Sequence, residues 1–147
     1  MNDDRGQRAL GFSWPALVGL AALAAPRVVL HDLGVIEEGS FVNGLFVFVP
    51  LACWIAAVLW RRPPRPFLTT AVLGLIYGVF LAAGHMLFWD TAFEGGPFED
   101  VDSSQETALR GQVVVTSLLT GTAVGVITGA VALLLMRLTR SRSGRRS

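Results

Sequence analysis

Four stretches of this chain are each apolar for about 20 residues or more, long enough to cross a hydrocarbon core roughly 30 Å thick at 1.5 Å per residue. They run from about Leu10 to Ile36, Phe41 to Trp60, Phe67 to Trp89 and Val113 to Met136. In hydrocarbon every backbone N–H and C=O must find its partner within the protein, so separate spans of this length are helices. The expected fold class is an all-α integral membrane protein, a four-helix transmembrane bundle running up-down-up-down, with 1–147 as one transmembrane domain. The composition agrees. Hydrophobic residues make up 52% and charged residues 16%, and mean hydropathy is +0.56; soluble domains are near 25% charged.

The charges give the direction of each span. All but two of the twelve basic residues, Arg27 and Arg110, lie on one side of the apolar segments. The 2–3 loop, Arg61-Arg62-Pro63-Pro64-Arg65-Pro66, carries no acid, and neither does the tail 137–147 with Arg137, Arg140, Arg142, Arg145 and Arg146. The opposite connections carry Glu37, Glu38 and, from Asp90 to Glu106, six carboxylates. Arginine is retained in the cytoplasm. Both termini and the 2–3 loop are therefore expected inside a cell membrane (plasma or inner), with the 1–2 connection and the loop 90–112 outside. The exclusive use of arginine over lysine fits a GC-rich bacterial coding sequence.

Arg5 and Arg8 ahead of an apolar run and Ala22-Leu23-Ala24 resemble a cleavable signal peptide. The run resumes at Val28-Val29-Leu30, which favours a retained helix.

Catalytic patterns are missing. Cys53 is the single cysteine, which excludes a CxxC pair and a four-cysteine zinc site. In size and helix count the chain is similar to the small multidrug exporters, which work as dimers of four-helix subunits. The membrane-embedded glutamate of their first helix is missing here. The cysteine pair of the vitamin K epoxide reductases is missing too. The expectation is a non-enzymatic, multi-pass protein with no cofactor. Its partners are the bilayer and a second copy or another membrane protein. The basic tail suits anionic lipid headgroups; nucleic acid is not expected, since topology already accounts for these arginines.

Small residues recur every four positions in two segments: Gly74, Gly78 and Ala82 in the third, and Ser117, Gly121, Gly125 and Gly129 in the fourth. Each set forms a shallow groove that lets backbones approach closely. The threonines of the fourth segment are expected to bond the carbonyl four residues back. Trp14, Trp60 and Trp89 fall where interfacial anchors sit, and Trp54 reads as a packing residue.

Ionisable groups inside a span are expensive and point to function. Here they are Arg27, His31 and Asp32 in the first segment, and His85 with Asp90 at the end of the third. At 1.5 Å per residue the two histidines reach similar heights, about 30 Å and about 27 Å from the inner boundary. Three readings compete. One is an interfacial polar cluster in which Arg27 snorkels or pairs with Asp32, Glu37 or Asp90 and the histidines hydrogen-bond within the bundle. A second is a metal or haem site on His31 and His85. The third is an outer ligand or ion site of a small transporter or channel subunit, with Arg27 holding an anion.

Overall fold

The computed structural model describes residue 7 and residues 9–37, 39–92 and 102–143, and only the backbone of 92 and 140–143. Among these residues the fold is all-helical, with four helical spans long and apolar enough to cross a membrane. The protein is a four-helix transmembrane bundle.

The first span is broken in its middle, beside Pro26. α1 (Trp14–Ala22) and α2 (Ala25–Asp32) part at Leu23 and Ala24. Pro26 has no N–H for the Ala22 carbonyl four residues back, and its ring clashes with that oxygen. The chain tightens instead, with Leu23 N donating to Leu20 O (3.3 Å) and Ala24 N to Ala21 O (3.1 Å). The Leu20 carbonyl is completed by the Trp54 indole N–H at 2.7 Å. Trp54 is fully buried, and its ring meets Tyr77 edge-on with centroids 6.0 Å apart. The helix break and the deep tryptophan are thus one feature.

α3 (Phe41–Arg61) starts at Ser40, whose hydroxyl accepts from Asn43 N. Pro50 lies inside it and cannot donate to the Phe46 carbonyl. α4 (Pro66–Leu87) is the most buried span and the centre of the bundle. It packs chiefly on α6, and on α1 and α2. A single turn, α5 (Trp89–Ala92), follows.

α6 (Ser103–Ser143) begins ten residues before the apolar run and outlasts it. At 1.5 Å per residue it is about 60 Å long, twice the hydrocarbon thickness, so it projects from the bilayer. Its start is a capping box. Asp102 Oδ1 accepts from the N–H groups of Ser104 and Gln105, while Gln105 Oε1 accepts from Asp102 N. The Ser104 hydroxyl and the Gln105 N–H hold the Asp102 carboxyl below its ordinary range. The expected loop 90–112 therefore includes α5 and the first turns of α6. Residues 93–101 with Phe93 and Phe98, and Arg5, Arg8, Glu38, Arg145 and Arg146, lie outside the described residues.

The two small-residue faces meet each other. A Cβ placed on Gly74 would stand 2.6 Å from Gly125 Cα, and one on Gly78 2.9 Å from Leu118 Cα. Such distances admit hydrogen only, so α4 and α6 touch backbone to backbone. Ser117, Gly121 and Gly129 are buried at this contact, Gly129 against Thr70 and Phe67. Ala82 is also buried. Thr116, Thr122 and Thr128 bond the carbonyl four residues back.

Trp14 and Trp60 are exposed, but Trp89 is buried rather than at the surface. The Arg110 guanidinium covers its ring at 4.5 Å and also pairs with Glu106 at 2.7 Å. This ties the start of α6 to the α4–α5 corner.

Candidate functional site

Proximity of α2 and α4 creates the polar cluster. Gly84 lets Val28 approach: a Cβ there would stand 2.8 Å from Val28 Cγ1. One turn beyond Val28 is Asp32, and one residue beyond Gly84 is His85. His85 Nδ1 comes to 2.9 Å from Asp32 Oδ2, and His31 Nδ1 to 3.4 Å from Asp32 Oδ1. The His85 approach is short but does not have hydrogen-bond geometry. Asp32 is 4% exposed. A buried carboxylate needs donors; His31 Nδ1, when it carries the proton, gives one to Oδ1, whereas Oδ2 has no aligned donor among the described residues.

Arg27 does not join that carboxylate. Its Nε donates to Asn43 Oδ1 of α3 at 2.9 Å, and its guanidinium lies beside the Tyr77 hydroxyl of α4. Among the described residues it has no carboxylate within ion-pair distance. The expected pairing with Asp32, Glu37 or Asp90 is therefore replaced by two neutral partners. The reason is placement: Arg27 is one turn further into the membrane than His31, where Asn43 and Tyr77 are in reach. Asp90 is exposed on α5, and Glu37 is exposed in the preceding connection.

Arg27 and His85 line one cavity of about 490 Å³. Its remaining polar wall is Tyr77 with Thr116, Ser117 and Thr120 of α6, and Phe46, Val47, Leu51, Leu81 and Val124 supply apolar surface. It lies where α3 and α6 diverge over α4, since these two helices pack on each other far less than α4 and α6 do. His31 and Asp32 stand behind His85 rather than in the lining.

Among the described residues no group of three or more His, Cys, Asp or Glu could hold a metal ion. Both histidines turn an Nδ1 to one carboxylate. Asn43, Tyr77 and Gly84 were not singled out in the sequence. Asn43 was legible as an amide inside an apolar segment; Tyr77 and Gly84 were hidden in the small-residue pattern around them.

The chain matches no known family model, and neither a curated protein nor a solved structure is significantly similar to it.

Proposed function

We propose that this four-span protein binds, and as a non-enzymatic carrier or channel subunit moves, a small amphiphile with one anionic group. The observation that supports the reading is Arg27. A guanidinium with only neutral partners among the described residues, at the wall of a cavity in the membrane-spanning part, leaves room for an anionic ligand as its counter-charge. Unpaired charge there is costly unless water or an anion completes it. The apolar surface beyond it suits a hydrocarbon portion. His85, held by Asp32, offers a second polar contact on the same wall.

The arginine bias supports a cell-membrane location with both termini in the cytoplasm, which puts the cavity in the outer half. Assembly with another copy or a partner draws no support from the glycine faces, because those are occupied within the chain. Exposed apolar side chains lie on both α3, such as Phe41 and Phe48, and α6, such as Leu119 and Ile127.

The test is binding of a fluorescent fatty acid and its uncharged alcohol analogue to the full chain in uncharged-lipid nanodiscs. The wild type should prefer the acid, and Arg27→Ala should lose about tenfold or more in affinity for the acid alone, the loss of one charge-assisted contact. A folded Arg27→Ala protein that binds the acid undiminished removes the proposal.

A further inference from the structure

A second cavity, of about 370 Å³, lies at the opposite, arginine-rich end of the bundle. Arg62 of the α3–α4 connection and Arg137 of α6 line it. So do Pro63 and Pro64 of that connection, Pro66 at the start of α4 and, on the membrane side, Leu133 and Met136. We propose that it holds the phosphate headgroup of an anionic phospholipid. The proposal is independent of the Arg27 cavity.

Four observations carry it. The lining has two guanidiniums and no carboxylate. Neither arginine pairs with an acid among the described residues. Neighbouring Arg61 is engaged elsewhere, its guanidinium 5.7 Å from the Phe12 ring centroid, so the adjacent arginines have separate roles.

The second observation is backbone geometry. Arg62 ends α3 in the left-handed region at φ 48, ψ 58, and it is the only described non-glycine residue with positive φ. Its N–H closes the helix on Val58 O at 2.9 Å. Glycine is the usual residue at such a helix end. A cationic side chain kept there against its conformational preference points to a use for the side chain.

Third, the wall is rigid. Proline fixes φ, and Pro63 is backed by Gly11, where a Cβ would stand 2.6 Å from Pro63 Cβ. Gly11 itself has φ +70. The arginines are thus presented around a preformed hollow rather than on a loose loop.

Fourth, the chemistry is graded. Leu133 and Met136 belong to the apolar span of α6, and Arg137 follows them directly. A ligand there meets cations at one end and hydrocarbon at the other. The hollow corresponds to about a dozen waters at roughly 30 Å³ each, enough for a phosphodiester with its glycerol. Two guanidiniums are suited to bidentate phosphate contacts. A phospholipid satisfies both ends; free phosphate satisfies one.

The experiment measures phosphatidylglycerol over phosphatidylcholine retained by the full chain, by native mass spectrometry from mixed nanodiscs. The informative variant is Arg62→Gly with Arg137→Gln, because glycine accepts the left-handed backbone and leaves the turn intact. The wild type should prefer phosphatidylglycerol, and the double variant should lose that preference about tenfold or more while unfolding no earlier than wild type. Arg65→Gln, outside the lining, should keep it. An unchanged preference in the double variant overturns the proposal, as does an equal loss in Arg65→Gln, which would mean diffuse surface charge. Inorganic phosphate, added alone, should not displace the lipid; full displacement would assign the hollow to free phosphate and overturn the lipid assignment.

Discussion

Asp32 of α2 and His85 of α4 meet at 2.9 Å, with the carboxylate side chain 2% exposed and the imidazole 28%. Replacing one partner strands the other, so Asp32→Ala should lower stability by about 1–3 kcal/mol, the cost of leaving a buried polar partner unsatisfied. Thermal unfolding in detergent measures this. A double-mutant cycle with His85→Ala should show coupling of about 1 kcal/mol or more. Strict additivity would mean that the two groups do not interact.

Gly121 offers a direct test of the α4–α6 contact. A Cβ there would stand 2.5 Å from Gly78 Cα, whereas one at Gly111 meets nothing within 4 Å. Gly121→Ala should therefore destabilise the protein by about 1–3 kcal/mol through helix separation. Gly111→Ala on the same helix should be neutral or stabilising, by up to about 1 kcal/mol of helix propensity. Equal effects at the two positions would contradict the backbone contact.

The spans and the glycine contact were legible in the sequence for one reason. Lipid removes water as a partner, so segment length and small-residue spacing act almost alone. The polar site was legible only as a set of residues. Arg27, His31, Asp32 and His85 were identifiable as costly intramembrane groups, but their pairing depends on helix rotation. That rotation is set by Gly84 against Val28 and by the break at Pro26, and neither has a periodic signature. The early start of α6 has no apolar signature, because its cap at Asp102 and Gln105 precedes polar residues rather than the apolar run.

Trp54→Phe keeps a ring in the core but removes the donor to the Leu20 carbonyl. The loss should be about 1 kcal/mol, and amide exchange should quicken at the α1–α2 break before it does in α4. Unchanged exchange there would show that the indole does not close the break.

The cap of α6 should respond to acid. Asp102 is depressed by the Ser104 hydroxyl and the Gln105 N–H, so its folded pKa lies below its unfolded one. Its stabilising contribution is complete above the unfolded carboxylate range and is lost as pH falls through the folded value. Carbon chemical shifts of Ser103 to Glu106 should move towards coil on acidification. Asp102→Ala should show that state at neutral pH and no acid transition. A pH-independent first turn in the wild type would contradict the cap.

The direction in which α6 crosses the bilayer is the most direct test of all. In a Cys53→Ala background, Gln105→Cys and Thr139→Cys each place one thiol at opposite ends of the helix. A membrane-impermeant maleimide applied to intact cells should label the first, and should label the second only after permeabilisation. Labelling of both from the same side would mean that the helix does not span the membrane, and the reverse pattern would place the Arg27 cavity in the wrong leaflet.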